Sequence, residues 1–192
     1  MEQYNNKQYY AKKSFWKLFG GEIRIFDINR SRILFYVKQK AFKLKEDITV
    51  YGDESKNVEL MKIKARSIID FSAAYDVTDA NTGSKIGALK RKGMKSILKD
   101  EWDILDANDQ SIGIVQENSM LLALLRRFLT NLIPQKFTLS VGGQEVGYFR
   151  QTFNPFVPQF EIDFSMDSSN LLDRRLGIAT VILLQTIEGR QN

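Results

Sequence analysis

The sequence predicts a mainly β protein of antiparallel hairpins with two helices, one of them enclosed. Three observations carry this. A phrase recurs, as YDVTDANTGSKIG from Tyr75 to Gly87 and WDILDANDQSIG from Trp102 to Gly113. Around it, apolar residues alternate with polar ones at period two, the spacing of a strand with one buried face. Finally, two segments break that alternation with the Leu-rich composition of helices.

The hairpins follow in order along the chain. Ile23 and Ile25 lead through Asp27 and Asn29 to Ile33, Leu34 and Phe35, and Ile48 and Val50 reach Gly52-Asp53 before Val58 and Leu60. The two Asp-Ala-Asn phrases supply the next pair. Phe137, Leu139 and Val141 then turn at Gly142-Gly143 and return through Val146, Gly147, Tyr148 and Phe149. Asp and Asn suit such bends because their side chains hydrogen-bond turn backbone and Asn tolerates the left-handed conformation. Gly87, Gly113 and Gly147 fall inside returning strands, where a missing side chain permits a bulge or the close approach of another element. A calcium loop is the competing reading. From Asp106, positions one, three and five are Asp106, Asn108 and Gln110, with Glu117 at twelve, but the turn glycine is absent; from Asp79 the twelfth residue is Lys90. The spacing favours turns.

The first helix is expected from Asn118 to Ile133, with Asn118-Ser119 as N-cap and Pro134 beyond its end. Met120, Leu121, Leu124, Leu125, Phe128 and Leu129 form a broad apolar face, with Arg126 and Arg127 beside it. Such a helix either plugs one end of the fold or lies at a membrane interface, which makes Arg126 and Arg127 secondary candidates for membrane contact. The second helix follows the caps Ser168 to Asn170 and stops near Gly189. From Leu176 to Leu184 it is apolar on every side apart from Gly177 and Thr180, so protein or lipid must enclose it. A bilayer span needs about twenty apolar residues, and Arg174, Arg175, Gln185 and Glu188 end the run sooner. Enclosure by protein is the reading.

Composition bounds the function. The 192 residues, 43% of them hydrophobic, suffice for one domain with a single core. With no Cys there is no disulfide, thiol nucleophile or thiolate zinc site, which fits an intracellular protein. With no His, neither a Ser-His couple nor an imidazole metal ligand can form. The reading calls for no catalytic residue, metal or cofactor. A net charge of +5 and an isoelectric point near 9.3 favour anionic partners.

The hairpin series, the D-A-N turns returning through Ile-Gly, the middle helix ending in Leu-Ile-Pro-Gln-Lys and the final apolar helix resemble the tubby C-terminal-like superfamily. The LURP-one-related family and the phospholipid scramblases form the nearest branch. The resemblance covers about residues 20–190 and implies a closed antiparallel barrel of about twelve strands around a central hydrophobic C-terminal helix. Residues 1–19 are then expected to be a flexible arm. Scramblases of the superfamily carry acylated cysteines and an acidic calcium segment before the last helix. This chain has no cysteine, and Asp163, Asp167 and Asp173 read instead as strand and helix-start residues. Tubby proteins bind phosphoinositides through surface Lys and Arg, so here the binding surface is argued from this chain's own charges.

Lys90, Arg91, Lys92, Lys95 and Lys99 form a run with no acidic residue among them and make the candidate site for an anionic head group. The alternative is an exposed strand charged for solubility. Lys38, Lys40, Lys43 and Lys45, interleaved with Phe42 and Leu44, read as a half-buried strand with a solvated face. Together these features predict a non-enzymatic binding module, cytoplasmic and peripheral at the membrane, whose partners are anionic membrane lipids or a protein. A protein-interaction domain with no small ligand is the alternative, with a scramblase-like protein behind it. Nucleic acid is not expected, because the basic residues are not interleaved with exposed aromatics on one platform.

Overall fold

A computed structural model describes residues 2–15, 21–39, 47–69, 72–92, 101–118, 134–152, 154, 157 and 159–188. A short 3-10 turn, Glu2–Asn5, leads into strands β1 (Gln8–Phe15), β2 (Gly21–Asp27), β3 (Ile33–Gln39), β4 (Ile48–Tyr51), β5 (Glu59–Ile69) and β6 (Ser72–Asp79). Strands β7 (Lys85–Arg91), β8 (Glu101–Leu105), β9 (Ser111–Glu117), β10 (Lys136–Val141), β11 (Gln144–Gln151) and β12 (Gln159–Asp163) follow. Helix α1 (Arg174–Glu188) ends the described chain. Each strand pairs antiparallel with its sequence neighbours and β1 closes on β12, so the sheet is a closed barrel of twelve strands. Closure leaves no free edges, which suits an antiparallel sheet with a filled interior. The middle segment expected to be helical, 118–133, lies outside the described residues apart from Asn118.

The repeated phrase has a structural cause. In five hairpins the ladder skips one residue of the returning strand: Leu34, Leu60, Ile86, Ile112 and Val146. The first four stand at equal intervals along the chain. At such a bulge two consecutive side chains approach the same face, and the strand bends and twists more strongly. Leu34 with Phe35, and Leu60 with Met61, accordingly both join the core. In the other three units the second residue is Gly. A Cβ on Gly87 would stand 2.3 Å from the Leu105 carbonyl oxygen and 3.1 Å from Leu176, and one on Gly147 would stand 2.5 Å from the Asp163 carbonyl oxygen. Ile-Gly therefore marks a bulge followed by a close approach.

The turns are closed by carboxylates. Asp79 Oδ1 accepts from the N–H groups of Asn81 (2.9 Å) and Thr82 (3.1 Å), and Asp106 Oδ1 accepts from Asn108 and Gln110 (2.8 Å each). Asp27 and Asp53 make the same kind of bond to Ser31 and Ser55. These are hairpin turns, as the spacing predicts.

Helix α1 is buried from Leu176 to Thr186, Gln185 being 2% exposed, and its apolar residues share one core with the inward residues of the strands. Asp173, rather than the preceding Ser168–Asn170, caps it, with its carboxylate 2.9 Å from the Arg175 N–H. Gly177 lets the Phe164 ring lie against the helix, since a Cβ there would meet that ring at 2.6 Å.

The N-terminal expectation is corrected. Residues 8–15 are not an arm but β1, paired to both β12 and β2, with Tyr9, Ala11 and Lys13 buried. Lys13 sits inside because its Nζ donates to the Gln185 carbonyl oxygen at 2.5 Å, near the C-terminal end of α1. A cation there meets the negative end of the helix dipole and carbonyls that the helix leaves unsatisfied. The 3-10 turn is also held, by Tyr4 against Phe35 (ring centroids 5.0 Å) and by the Tyr9 hydroxyl donating to the Gln3 carbonyl oxygen.

Candidate functional site

Strand alternation separates the basic run that the sequence presents as one cluster. Lys90 lies on the outer face of β7, exposed, and forms no ion pair among the described residues. Arg91 shares the inward parity of Leu89 and stands opposite buried Trp102. Lys92 faces outward again, but its Nζ lies 2.8 Å from Glu101 and 3.0 Å from Asp103 of β8. Those carboxylates, Glu101 first, raise its pKa above the ordinary lysine value. Of the three described members, one is a free outward cation. Lys95 and Lys99 lie outside the described residues, as do Arg126 and Arg127. Lys38 on β3 is paired with Glu22 at 3.4 Å, while Lys40, Lys43 and Lys45 lie outside the described residues.

Elsewhere on the wall, several charges are matched. Arg66 reaches Asp76 and Asp109, and Lys85 reaches the same two carboxylates, so β5, β6, β7 and the β8–β9 turn are tied by one network. Hydrogen bonds from Arg66 and then Lys85 hold the Asp109 carboxyl below its usual range. Arg24 pairs with Glu22 and Glu54, and Arg150 with Glu161.

By sequence, the segments that connect the strands at the two ends of the barrel differ in charge. Strands β2, β4, β6, β8, β10 and β12 all finish at one rim, where each returns through a tight turn or through the cap of α1. The segments that follow them hold Asp53, Glu54, Asp106, Asp109, Asp167 and Asp173 against Arg30, Arg32 and Lys56. Strands β1, β3, β5, β7, β9 and β11 finish at the opposite rim. By sequence, the segments that follow these carry Lys17, Lys40, Lys43, Lys45, Lys92, Lys95, Lys99, Arg126 and Arg127 against Glu46, Asp47, Asp70 and Asp100.

At the turn rim, a cleft of about 230 Å³ is lined by Tyr4, Asp173, Arg174 and Arg175. Its arginines are already engaged: Arg175 with Asp173 (2.6 Å) and Asp79 (3.0 Å), and Arg174 with Asp167 (3.6 Å) and over the Phe164 ring (4.4 Å). Backbone N–H groups, that of Thr82 first, together with Arg175 hold the Asp79 carboxyl below its ordinary range. Burial pushes the Tyr4 hydroxyl well up. This constellation ties the first Asp-Ala-Asn turn to the start of the central helix. No group of three or more Asp or Glu side chains that could hold a metal ion occurs among the described residues. No described helix is long and apolar enough to cross a membrane.

A closed antiparallel barrel of twelve strands with one C-terminal helix fits the architecture that the resemblance to the tubby C-terminal-like superfamily implies. The family model for LURP-one-related proteins matches residues 33–185, from the first residue of β3 to the last turn of α1. The chain belongs to the LURP-one-related family, within the tubby-like C-terminal superfamily. Searches of the curated proteins and of the solved structures give no match. The match begins after β1 and β2, although both complete the barrel wall.

Proposed function

We propose that this protein is a non-enzymatic binding module that engages anionic phospholipid head groups with the basic rim of its barrel. The observation that carries the reading is the segregation of charge between the rims. Cations gathered at one end and carboxylates at the other orient a protein in the field of an anionic leaflet, at about 1 kcal/mol per cation near the surface. Family membership and the absence of His and Cys agree with binding rather than catalysis.

Lys90 starts the contact set, because it is exposed on the outer face and forms no ion pair among the described residues. Lys95 and Lys99 continue along the β7–β8 connection, and Arg126 and Arg127 follow on the β9–β10 connection. Lys92 contributes less, because Glu101 and Asp103 already neutralise it. By sequence the same segments also hold Trp16, Phe19, Phe42 and Leu98, a composition that suits an interfacial surface.

The test is flotation with liposomes. The protein floats with vesicles containing phosphatidylserine or a phosphoinositide and not with phosphatidylcholine alone, and binding weakens as salt rises because exposed charges are screened over about 10 Å at 0.1 M. Reversal of Lys90, Lys95 and Lys99 to Glu abolishes flotation. The charge-matched reversal of Lys56, Lys62 and Lys64 leaves it in place. Equal loss in both triple variants, or no flotation of the parent chain, contradicts the proposal.

A further inference from the structure

The two arginines of the small cleft at the turn rim are not equally occupied. Arg175 donates from Nε and Nη2 to Asp173 and from Nη1 to Asp79. The Arg174 guanidinium is held by charge and stacking alone and donates no hydrogen bond among the described residues. Its Nη2 stands 3.6 Å from the Asp167 carboxylate, beyond hydrogen-bond reach, its Cζ lies 4.4 Å from the centre of the Phe164 ring, and its Nη1 is buried without a partner. The Tyr4 hydroxyl is in the same condition, buried and with no hydrogen bond.

The acceptors around these two groups are taken. Asp167 receives the N–H groups of Leu171 (2.7 Å) and Leu172 (3.2 Å), and Asp173 receives the N–H and guanidinium of Arg175. Asp79 receives two N–H groups of its own turn besides Arg175. The cleft, about 230 Å³, is therefore lined by donors in excess of acceptors. A buried donor without a partner carries a desolvation cost that acceptor oxygens remove. Tyr4 stands on the Glu2–Asn5 turn, which has no buried residue and is held at the Gln3 carbonyl oxygen by the Tyr9 hydroxyl (3.0 Å) and the Asn6 amide (3.2 Å). One side of the cleft is thus a single 3-10 turn outside the strand ladder, which can yield to a ligand without breaking a strand pair.

We propose that this cleft binds a small carboxylate, whose oxygens accept from the Arg174 guanidinium and the Tyr4 hydroxyl. A planar carboxylate matches the parallel N–H groups of a guanidinium. The volume is below the roughly 300–1,000 Å³ of pockets for drug-sized ligands, so the ligand has few carbon atoms. Charge argues against phosphate. Asp79, Asp167 and Asp173 already face Arg174 and Arg175, so a dianion is repelled about twice as strongly as a carboxylate. The cleft lies at the start of α1, at the other end of the barrel from the basic residues proposed to meet lipid, so the two readings succeed or fail separately.

The experiment is a nitrogen-15 NMR titration of the whole chain with acetate, glycolate and pyruvate, and with acetamide and inorganic phosphate beside them. At least one carboxylate is expected to shift the Arg174 Nε–H and the backbone N–H groups of residues 173–176 saturably, at lower concentration than acetamide or phosphate, and to leave the Lys90 N–H unmoved. Tyr4→Phe keeps the ring against Phe35 and removes only the unpartnered hydroxyl, so it should weaken binding about tenfold without lowering the melting temperature. Lys90→Glu should leave binding as it is. The proposal is overturned if no carboxylate gives a saturating shift, if acetamide or phosphate binds as tightly, or if Tyr4→Phe binds as the parent chain does.

Discussion

The two rims of this barrel are built from the same strands and solve opposite problems. At the turn rim four of the five hairpin bends are closed by an Asp carboxylate, with Asp27, Asp53, Asp79 and Asp106 each accepting backbone N–H groups of their own turn, while Gly142-Gly143 makes the fifth. The bulge residues Leu34, Leu60, Ile86, Ile112 and Val146 bend the wall just inside it. At the basic rim the connections vary in length, from two residues between β5 and β6 to eighteen between β9 and β10, and their Lys and Arg residues form no repeating phrase. Repetition belongs to the end that makes the fold, and irregular basic sequence to the end proposed to bind. Residues that build a barrel recur because the hairpin recurs; residues that meet a ligand have no such reason.

The largest effect that separates the rims is on folding. Removing residues 1–13 takes away most of β1 and the Lys13 that caps α1, so the shortened chain should lose its cooperative thermal transition. Leu183→Asp, which buries an unpaired carboxylate at several kcal/mol against a total stability of about 5–15 kcal/mol, should do the same. A cooperative melt from either variant, followed by circular dichroism, contradicts the role given to β1 and α1.

Ten of the twelve strands were legible because their apolar residues alternate around an Asp or Gly bend. Strand β1 was not. Its inward positions are Tyr9, Ala11 and Lys13, and a lysine at an inward position breaks the pattern unless the carbonyl oxygen of Gln185, 172 residues away, is known to receive it. The basic run shows a related limit. That Arg91 turns inward follows from alternation alone, but the pairing of Lys92 needs the register that brings Glu101 and Asp103 of β8 beside it.

A smaller effect tests the bulges. Gly87→Ala pushes a Cβ onto the Leu105 carbonyl oxygen at 2.3 Å and should cost about 3 kcal/mol, a fall of about 6–12 °C in Tm. Gly52→Ala, whose nearest neighbour would be Val58 Cβ at 3.9 Å, should stay within about 0.5 kcal/mol of the parent. Equal effects would remove the distinction between a bulge glycine and a turn glycine. The smallest effect concerns pH. The Asp79 carboxyl is held below its ordinary value, so its contribution is present above the unfolded aspartate pKa near 4 and lost as pH falls through the lower folded value. Between pH 5 and 3 the Tm of the parent chain should therefore fall more steeply than that of Asp79→Asn; parallel curves would show that the charge of the Asp79 carboxylate contributes nothing to stability.

The most direct test of the two-ended account uses the absence of cysteine, which lets a single introduced thiol carry an environment-sensitive dye. Ile97→Cys marks the β7–β8 connection at the basic rim, and Ser55→Cys marks the β4–β5 turn at the other. On addition of phosphatidylserine vesicles the dye at position 97 should shift to the blue and the dye at position 55 should not, with neither responding to phosphatidylcholine. A shift at position 55 alone, or none at either position, would contradict the claim that the barrel meets anionic lipid through its basic rim.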